Sequence, residues 1–224
     1  MEQVDLNRSI VTISKEALSK LPAEEYKGKI HLIDSEAGLS EAFLHLNKAP
    51  IIGFDTETRP SFKKGTSYNV ALVQLATPEE SYLFRTNIIG FPKELIDILE
   101  NESLLKVGLS IHDDFHNLNK INKVNNFHPK GFIDLQSFVK EYKIADNSLS
   151  RLYGILFGKR ISKAQRLTNW EAKELTDLQL RYAALDAYAC IKIYDYLKNG
   201  NFDPMKSEYL TIPEEEVTKE NPEE

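Results

Sequence analysis

The sequence predicts an α/β domain with a mixed sheet. Three observations lead there. Short β-rich runs alternate with amphipathic helical runs; three consecutive β-rich runs are separated only by turn residues, which pairs them antiparallel; and one long C-terminal helix carries signals at both ends.

In chain order, "SKEALSKL" gives a short helix within an N-terminal arm, residues 1–28. "KIHLID" reads as a strand and "SEAGLSEAFLHLN" as a helix, with Leu39, Phe43 and Leu46 at helical spacing. Pro50 resets the chain. "IIGFDTE", "NVALVQLAT" and "SYLFRT" form the expected meander. "PKELIDILE" is helical, "LLKVGLS" a strand, "DDFHNLNKI" a helix and "GFIDL" a final strand, and the remainder reads as mostly helix. The last helix lies in "LTDLQLRYAALDAYACIKIYDYLKNG". Thr176 followed three residues later by Gln179 is a capping-box pattern, and Lys198 with Gly200 closes the helix. Leu178, Leu185, Ile193 and Leu197 supply its expected apolar stripe.

With 224 residues, 42% of them hydrophobic, the chain is expected to close a single core. No apolar stretch approaches the roughly 20 residues that cross a bilayer, so no membrane association is expected. The N-terminus lacks the basic-then-apolar order of a signal peptide. Cys190 is the only cysteine, which excludes a disulfide framework and a thiolate zinc cluster. A reducing intracellular location is expected: the cytoplasm, or the nucleus in a eukaryote. Nothing in the sequence bears on oligomeric state. The net charge of −6 argues against a nucleic-acid partner until it is located. Residues 203–224 hold eight acidic residues against two basic ones, leaving 26 of each sign in the body. Residues 203–224 are therefore expected as an acidic flexible tail that says little about the ligand of the body.

Two carboxylates interrupt the apolar run "IIGFDTETRP". Strand side chains alternate, so Asp55 and Glu57 project to the same face at the strand end, where like charges repel. Either that end is solvated or a hard divalent cation sits between the oxygens. In "KVGLSIHDDFHNL", Asp113 and Asp114 stand at a helix N-terminus, where capping alone accounts for either one. In "YAALDAY", Tyr182 and Asp186 at i, i+4 share a helix face, as they also would at an ordinary amphipathic boundary.

Taken in this order on these elements, the segments resemble the DEDD superfamily of 3′-to-5′ exonucleases, in its tyrosine-containing branch, which includes ribonuclease D and Werner-type exonuclease domains. "FDTETRP" matches the D-x-E motif with Asp55 and Glu57. "DFHNL" matches the second motif through Asp114 with Leu118 four residues on, which selects Asp114 over Asp113. Tyr182 and Asp186 match the third motif, Y-x-x-x-D. The resemblance extends over roughly residues 30–198, including "NVALVQLAT" and "FIDLQSF". It implies a ribonuclease H-like mixed sheet flanked by helices in a single, stand-alone exonuclease domain at 29–202.

The implied activity is metal-dependent removal of nucleotides from the 3′ end of DNA or RNA. Two divalent ions, Mg²⁺ or Mn²⁺, about 4 Å apart would activate water and neutralise the leaving oxygen. Asp55, Glu57, Asp114 and Asp186 are the implied ligands and, with Tyr182, the implied catalytic set. By the same resemblance Asp55 bridges the ions, Glu57 and Asp186 serve the water-activating one, and Tyr182 orients the water. Asp114 acts mainly through the other ion.

Several other residues carry chemistry of their own. "GKRISKAQR" offers Lys159, Arg160, Lys163 and Arg166, either as a phosphate grip, with Lys163 and Arg166 preferred, or as a solvated loop. Arg59, Lys63 and Lys64 form a weaker basic rim. His112 and His116 have helical zinc spacing but no third nitrogen or sulfur ligand nearby. Trp170 and Phe157 read as packing residues. The competing function is a catalytically silent nucleic-acid-binding module with the same fold, against which the complete carboxylate and tyrosine set argues. An aspartate-nucleophile phosphatase would use D-x-D, which "DTET" lacks.

Overall fold

The computed structural model describes residues 8–121 and 127–213. The elements are β1 (Ile10–Val11), α1 (Lys15–Lys20), β2 (Lys29–Ile33), α2 (Leu39–Leu46), β3 (Ile52–Thr58), β4 (Val70–Ala76), β5 (Glu80–Phe84), α3 (Thr86–Ile89) and α4 (Lys93–Glu100). They continue as β6 (Lys106–Gly108), α5 (Ile111–Ile121), β7 (Phe132–Asp134), α6 (Leu135–Phe138), α7 (Leu149–Phe157), α8 (Asp177–Lys198) and β8 (Leu210–Thr211). Six strands form one sheet in the order β2-β5-β4-β3-β6-β7. The β3–β4–β5 meander is antiparallel, and β2, β6 and β7 join parallel to their neighbours. This is the mixed, helix-flanked sheet that the sequence predicts.

Strand alternation splits the core into two layers. Ile52 and Phe54 of β3, with Val73 and Leu75 of β4, pack with Phe43, Leu46, Leu95 and Ile98 on one side. Leu72, Ala76 and Leu83 pack with Ala183, Ala184, Ala187, Cys190 and Ile191 of α8 on the other. Gly53, Asp55 and Glu57 alternate to this second face.

The approach of α8 to β3 depends on small residues. A Cβ at Gly53 would lie 1.9 Å from the Ala187 carbonyl oxygen, so only glycine permits the two backbones to meet there. Gly53→Ala should therefore push α8 off the sheet, costing about 3 kcal/mol or more. A thermal melt checks it: a fall of roughly 10 °C is expected, and an unchanged Tm would show that the close approach is not needed.

Four features differ from the sequence expectation. Leu178 does not join the buried stripe; at 65% exposed it stands outside, because α8 buries its alanines and Cys190 instead. Residues 158–176 are an irregular loop, not helix: Gly158 ends α7 in a left-handed conformation, φ +63°, and helix resumes only at α8. The expected flexible tail is in part ordered. Asp203 caps a 3₁₀ turn at Pro204–Lys206, and β8 pairs antiparallel with β1, Ile10 opposite Thr211. The N-terminal arm and the start of the tail thus hold each other; residues 214–224 lie outside the described residues. "GFIDL" is accordingly not the last strand.

Candidate active site

β3 delivers Asp55 and Glu57 to the face covered by α8, and α8 brings Asp186 onto them. Ligand oxygens of Asp55, Glu57 and Asp186 all lie within 4.8 Å of one another. The small-residue contact at Gly53 is what lets Asp186 come so near. Asp114 stands beside this trio. Its carboxylate accepts the Thr56 hydroxyl, and its charge acts on both Asp55 and Glu57. The register of α5 turns Asp114 inward and leaves Asp113 outside, its side chain 95% exposed next to His112. His116 is exposed as well.

Crowding carboxylates out of water makes their charge costly. Burial first, and then Asp186, Asp114 and Glu57, pushes the Asp55 carboxyl well above the usual carboxylate range. Burial followed by Asp186 and Asp114 raises Glu57 to about 9, with Arg166 pulling the other way. Burial raises Asp186 to about 7 against the opposing effects of the Tyr182 hydroxyl and Lys163. Asp114 rises to about 6, again mainly through burial. Burial and then Asp186 and Glu57 push the Tyr182 phenol upward, so it is a neutral donor rather than a base. Asp186 Oδ1 is buried and has no hydrogen-bond partner among the described residues. An all-oxygen donor set with an unpartnered, buried carboxylate oxygen fits a hard divalent cation.

Lys163 and Arg166 are exposed, yet close enough to act on Asp186 and Glu57 respectively. The other two members of the expected basic cluster make contacts within the chain. Lys159 Nζ bonds both Glu24 carboxylate oxygens at 3.0 and 3.1 Å, and Arg160 Nε donates to the Leu21 carbonyl. Both fasten the N-terminal arm, because strand-like pairing of Ala23 with Arg160 draws the arm along this segment.

The loop that carries Lys163 and Arg166 is anchored from several sides. Gln179 Nε2 donates to Thr168 Oγ1 at 2.9 Å while its Oε1 accepts the Thr176 N–H in the capping box. Arg85 donates to the carbonyls of Lys173 and Ala172. Trp170 is fully buried, with its ring 6.1 Å from that of Tyr182. The buried Arg85 clamp and the Thr56 support of Asp114 escaped the sequence reading, because neither residue type signals its partner at a distance.

Next to the strand end, Arg59, Phe62, Lys63, Tyr68, Leu167 and Asn169 line a cleft of about 480 Å³. Phe62 is 82% exposed there, and Arg59 stacks on Tyr68 at 4.7 Å while pairing with Glu171 at 3.3 Å.

Comparison with known proteins identifies the family. A family model described as 3′-5′ exonuclease matches residues 30–200. The chain is 35% identical over 192 residues to the bifunctional 3′-5′ exonuclease/ATP-dependent helicase WRN of Mus musculus; the match covers 80% of the chain and 13% of that protein's length. The Nibbler EXO domain of Aedes aegypti superposes with a TM-score of 0.69 at 24% identity, over 82% of this chain and 96% of that one. The RNase D of Trypanosoma brucei, solved in complex with RNA U12, does so with a TM-score of 0.66 at 22% identity, over 76% of this chain and 63% of that one. The last two likenesses show a shared fold. Among the described residues no helix is long and apolar enough to cross a membrane. With the matched model spanning most of the chain, this protein belongs to the 3′-5′ exonuclease family, in the DEDD-superfamily group of ribonuclease D and WRN.

Proposed function

We propose that the protein is a metal-dependent 3′-to-5′ exonuclease that hydrolyses terminal phosphodiester bonds of DNA or RNA and releases nucleoside 5′-monophosphates. The observation that carries this reading is the crowded trio Asp55, Glu57 and Asp186, with oxygens within 4.8 Å of one another. Such a cluster is destabilising unless protons or cations occupy it.

When bound, a pair of Mg²⁺ or Mn²⁺ ions supplies an acidified water and charge neutralisation at the leaving oxygen. Asp55, Glu57 and Asp186 would hold the ions, with Asp114 as the fourth ligand. The Tyr182 phenol, held one helical turn from Asp186, donates a hydrogen bond that orients the attacking water. Attack at phosphorus breaks the bond to the 3′ oxygen of the penultimate nucleotide, which leaves as a hydroxyl. Lys163 and Arg166 bind phosphate, and the cleft with Phe62 receives the strand entering behind them.

The direct test is incubation with 5′-labelled DNA and RNA oligomers, with and without Mg²⁺. Stepwise shortening that needs the metal is expected, and intact oligomers of both kinds with either Mg²⁺ or Mn²⁺ would end the reading. Reversing Lys163 and Arg166 to glutamate should raise KM and flatten its salt dependence. The slope of log affinity against log salt is expected to fall by roughly 0.7 for each single-strand phosphate that the variant no longer neutralises. An unchanged slope would assign these residues to the solvated loop alone.

A further inference from the structure

β4 is buried at every position, and Gln74 is its only polar residue. Gln74 is 0% exposed, and neither its Oε1 nor its Nε2 has a hydrogen-bond partner among the described residues. A buried carboxamide left this way costs roughly 1–3 kcal/mol, so an apolar side chain of similar shape would stabilise the strand better. Packing therefore does not explain the residue. Its place in the ladder does.

Gln74 lies directly opposite Asp55 in the antiparallel β3–β4 register. Facing residues of such a pair point the same way, with Cβ atoms about 4.5–5.5 Å apart. Its strand neighbours on that face, Leu72 and Ala76, pack against the α8 layer. The same layer holds the Asp186 carboxylate, whose Oδ1 is also unpartnered. Donor and acceptor groups left over in one dry layer both border Asp55.

We propose that Gln74 is a positioning residue for the carboxylate cluster: its carboxamide, unpartnered among the described residues and directly across the ladder from Asp55, turns to donate Nε2–H to the Asp55 carboxylate when a cation is held there and so fixes which oxygen faces the cation. The inference rests on the metal-site reading given above. A carboxylate ligand that gains such a donor in the loaded state is held in one orientation, and supporting partners of this kind typically matter about 10- to 100-fold in metal affinity or activity.

The test compares wild type with Gln74→Met, which keeps the length and loses the donor, and Gln74→Asn, which keeps the carboxamide but shortens its reach. Mn²⁺ affinity is measured by electron paramagnetic resonance, apo Tm by calorimetry, and kcat and KM on a labelled oligomer. Gln74→Met is expected to melt at or above the wild-type temperature without metal, to bind Mn²⁺ about 10- to 100-fold more weakly, and to lose kcat with KM little changed. Gln74→Asn should fall between the two. Wild-type Mn²⁺ affinity and kcat in Gln74→Met would overturn the proposal, and so would a lowered apo Tm with affinity unchanged, which would make Gln74 a packing residue. A wild-type protein that takes up no Mn²⁺ would instead overturn the metal-site reading and this inference with it.

Discussion

Asp186→Asn is expected to abolish metal-dependent shortening of a 3′ end and, at the same time, to raise the melting temperature of the metal-free protein. Both effects come from one carboxylate. Asp186 is buried against Asp55 and Glu57, its Oδ1 has no hydrogen-bond partner among the described residues, and its charge contributes to holding both neighbours above their usual ionisation range. Removing the charge relieves that repulsion in the apo protein. In the proposed mechanism it also removes an oxygen ligand from the site where transition-state charge would be neutralised, a contribution of several kcal/mol, or roughly a thousandfold in rate. Kinetics on a labelled oligomer and an apo melt of the same preparation check the two halves together. Activity within tenfold of wild type would remove Asp186 from the catalytic set. A lowered apo Tm would show that the carboxylates do not repel as their burial implies. Tyr182→Phe should act more mildly, because in the proposed mechanism the phenol would orient water without holding an ion.

The carboxylate cluster of the candidate site was legible in the sequence because a few residue types fall on recognisable elements. Asp55 and Glu57 interrupt an apolar strand, Asp114 opens a helix, and Asp186 follows Tyr182 by one turn. Local periodicity sufficed for the meander and for α8. The tight seating of α8 was less visible. A hydrophobic stripe through Leu178 is the natural reading of that helix, whereas the contact is made by alanines against Gly53. Small residues contribute little hydrophobic signal, although they decide how near two backbones come. The contacts of the four basic residues were hidden for a related reason. Lys159, Arg160, Lys163 and Arg166 look alike in sequence, but Glu24 and the Leu21 carbonyl, well over a hundred residues away, claim the first two. The β1–β8 pairing is two residues long on each side, too short for any alternation to show. Gln74 is the opposite case: a lone polar residue in "VALVQLA" is conspicuous, but only the register opposite Asp55 gives it meaning.

Without metal, stability should fall as pH rises from 5.5 to 8.5, and Mg²⁺ should reverse the trend. The sign follows from where protons are held. In the unfolded chain, Asp and Glu ionise near 4. In the folded protein Asp114 is raised to about 6, Asp186 to about 7 and Glu57 to about 9. Below the unfolded values both states are protonated and the folded state keeps its full advantage. Above them the unfolded chain binds fewer protons than the native one, so unfolding is favoured progressively until pH passes the folded values. Over this window the sign of the effect is a loss of stability, reduced in part by Lys106, whose lowered value of about 8 acts in the opposite sense toward the alkaline end, and it is read as a lowered Tm. Glu24 and Glu80, lowered by their hydrogen bonds, act in the opposite sense only as the solution becomes more acidic than this window. Cation binding requires the carboxylates deprotonated, so Mg²⁺ affinity, and with it the stabilisation by mass action, grows with pH. Melts at pH 5.5 and 8.5, each with and without 10 mM Mg²⁺ (roughly a saturating level for such a site), should show a larger metal-induced rise at the higher pH. The difference should shrink in Asp186→Asn. An apo Tm that climbs between the two pH values, or a metal shift equal at both, would mean that these carboxylates do not share the buried, proton-holding pocket on which the catalytic reading depends.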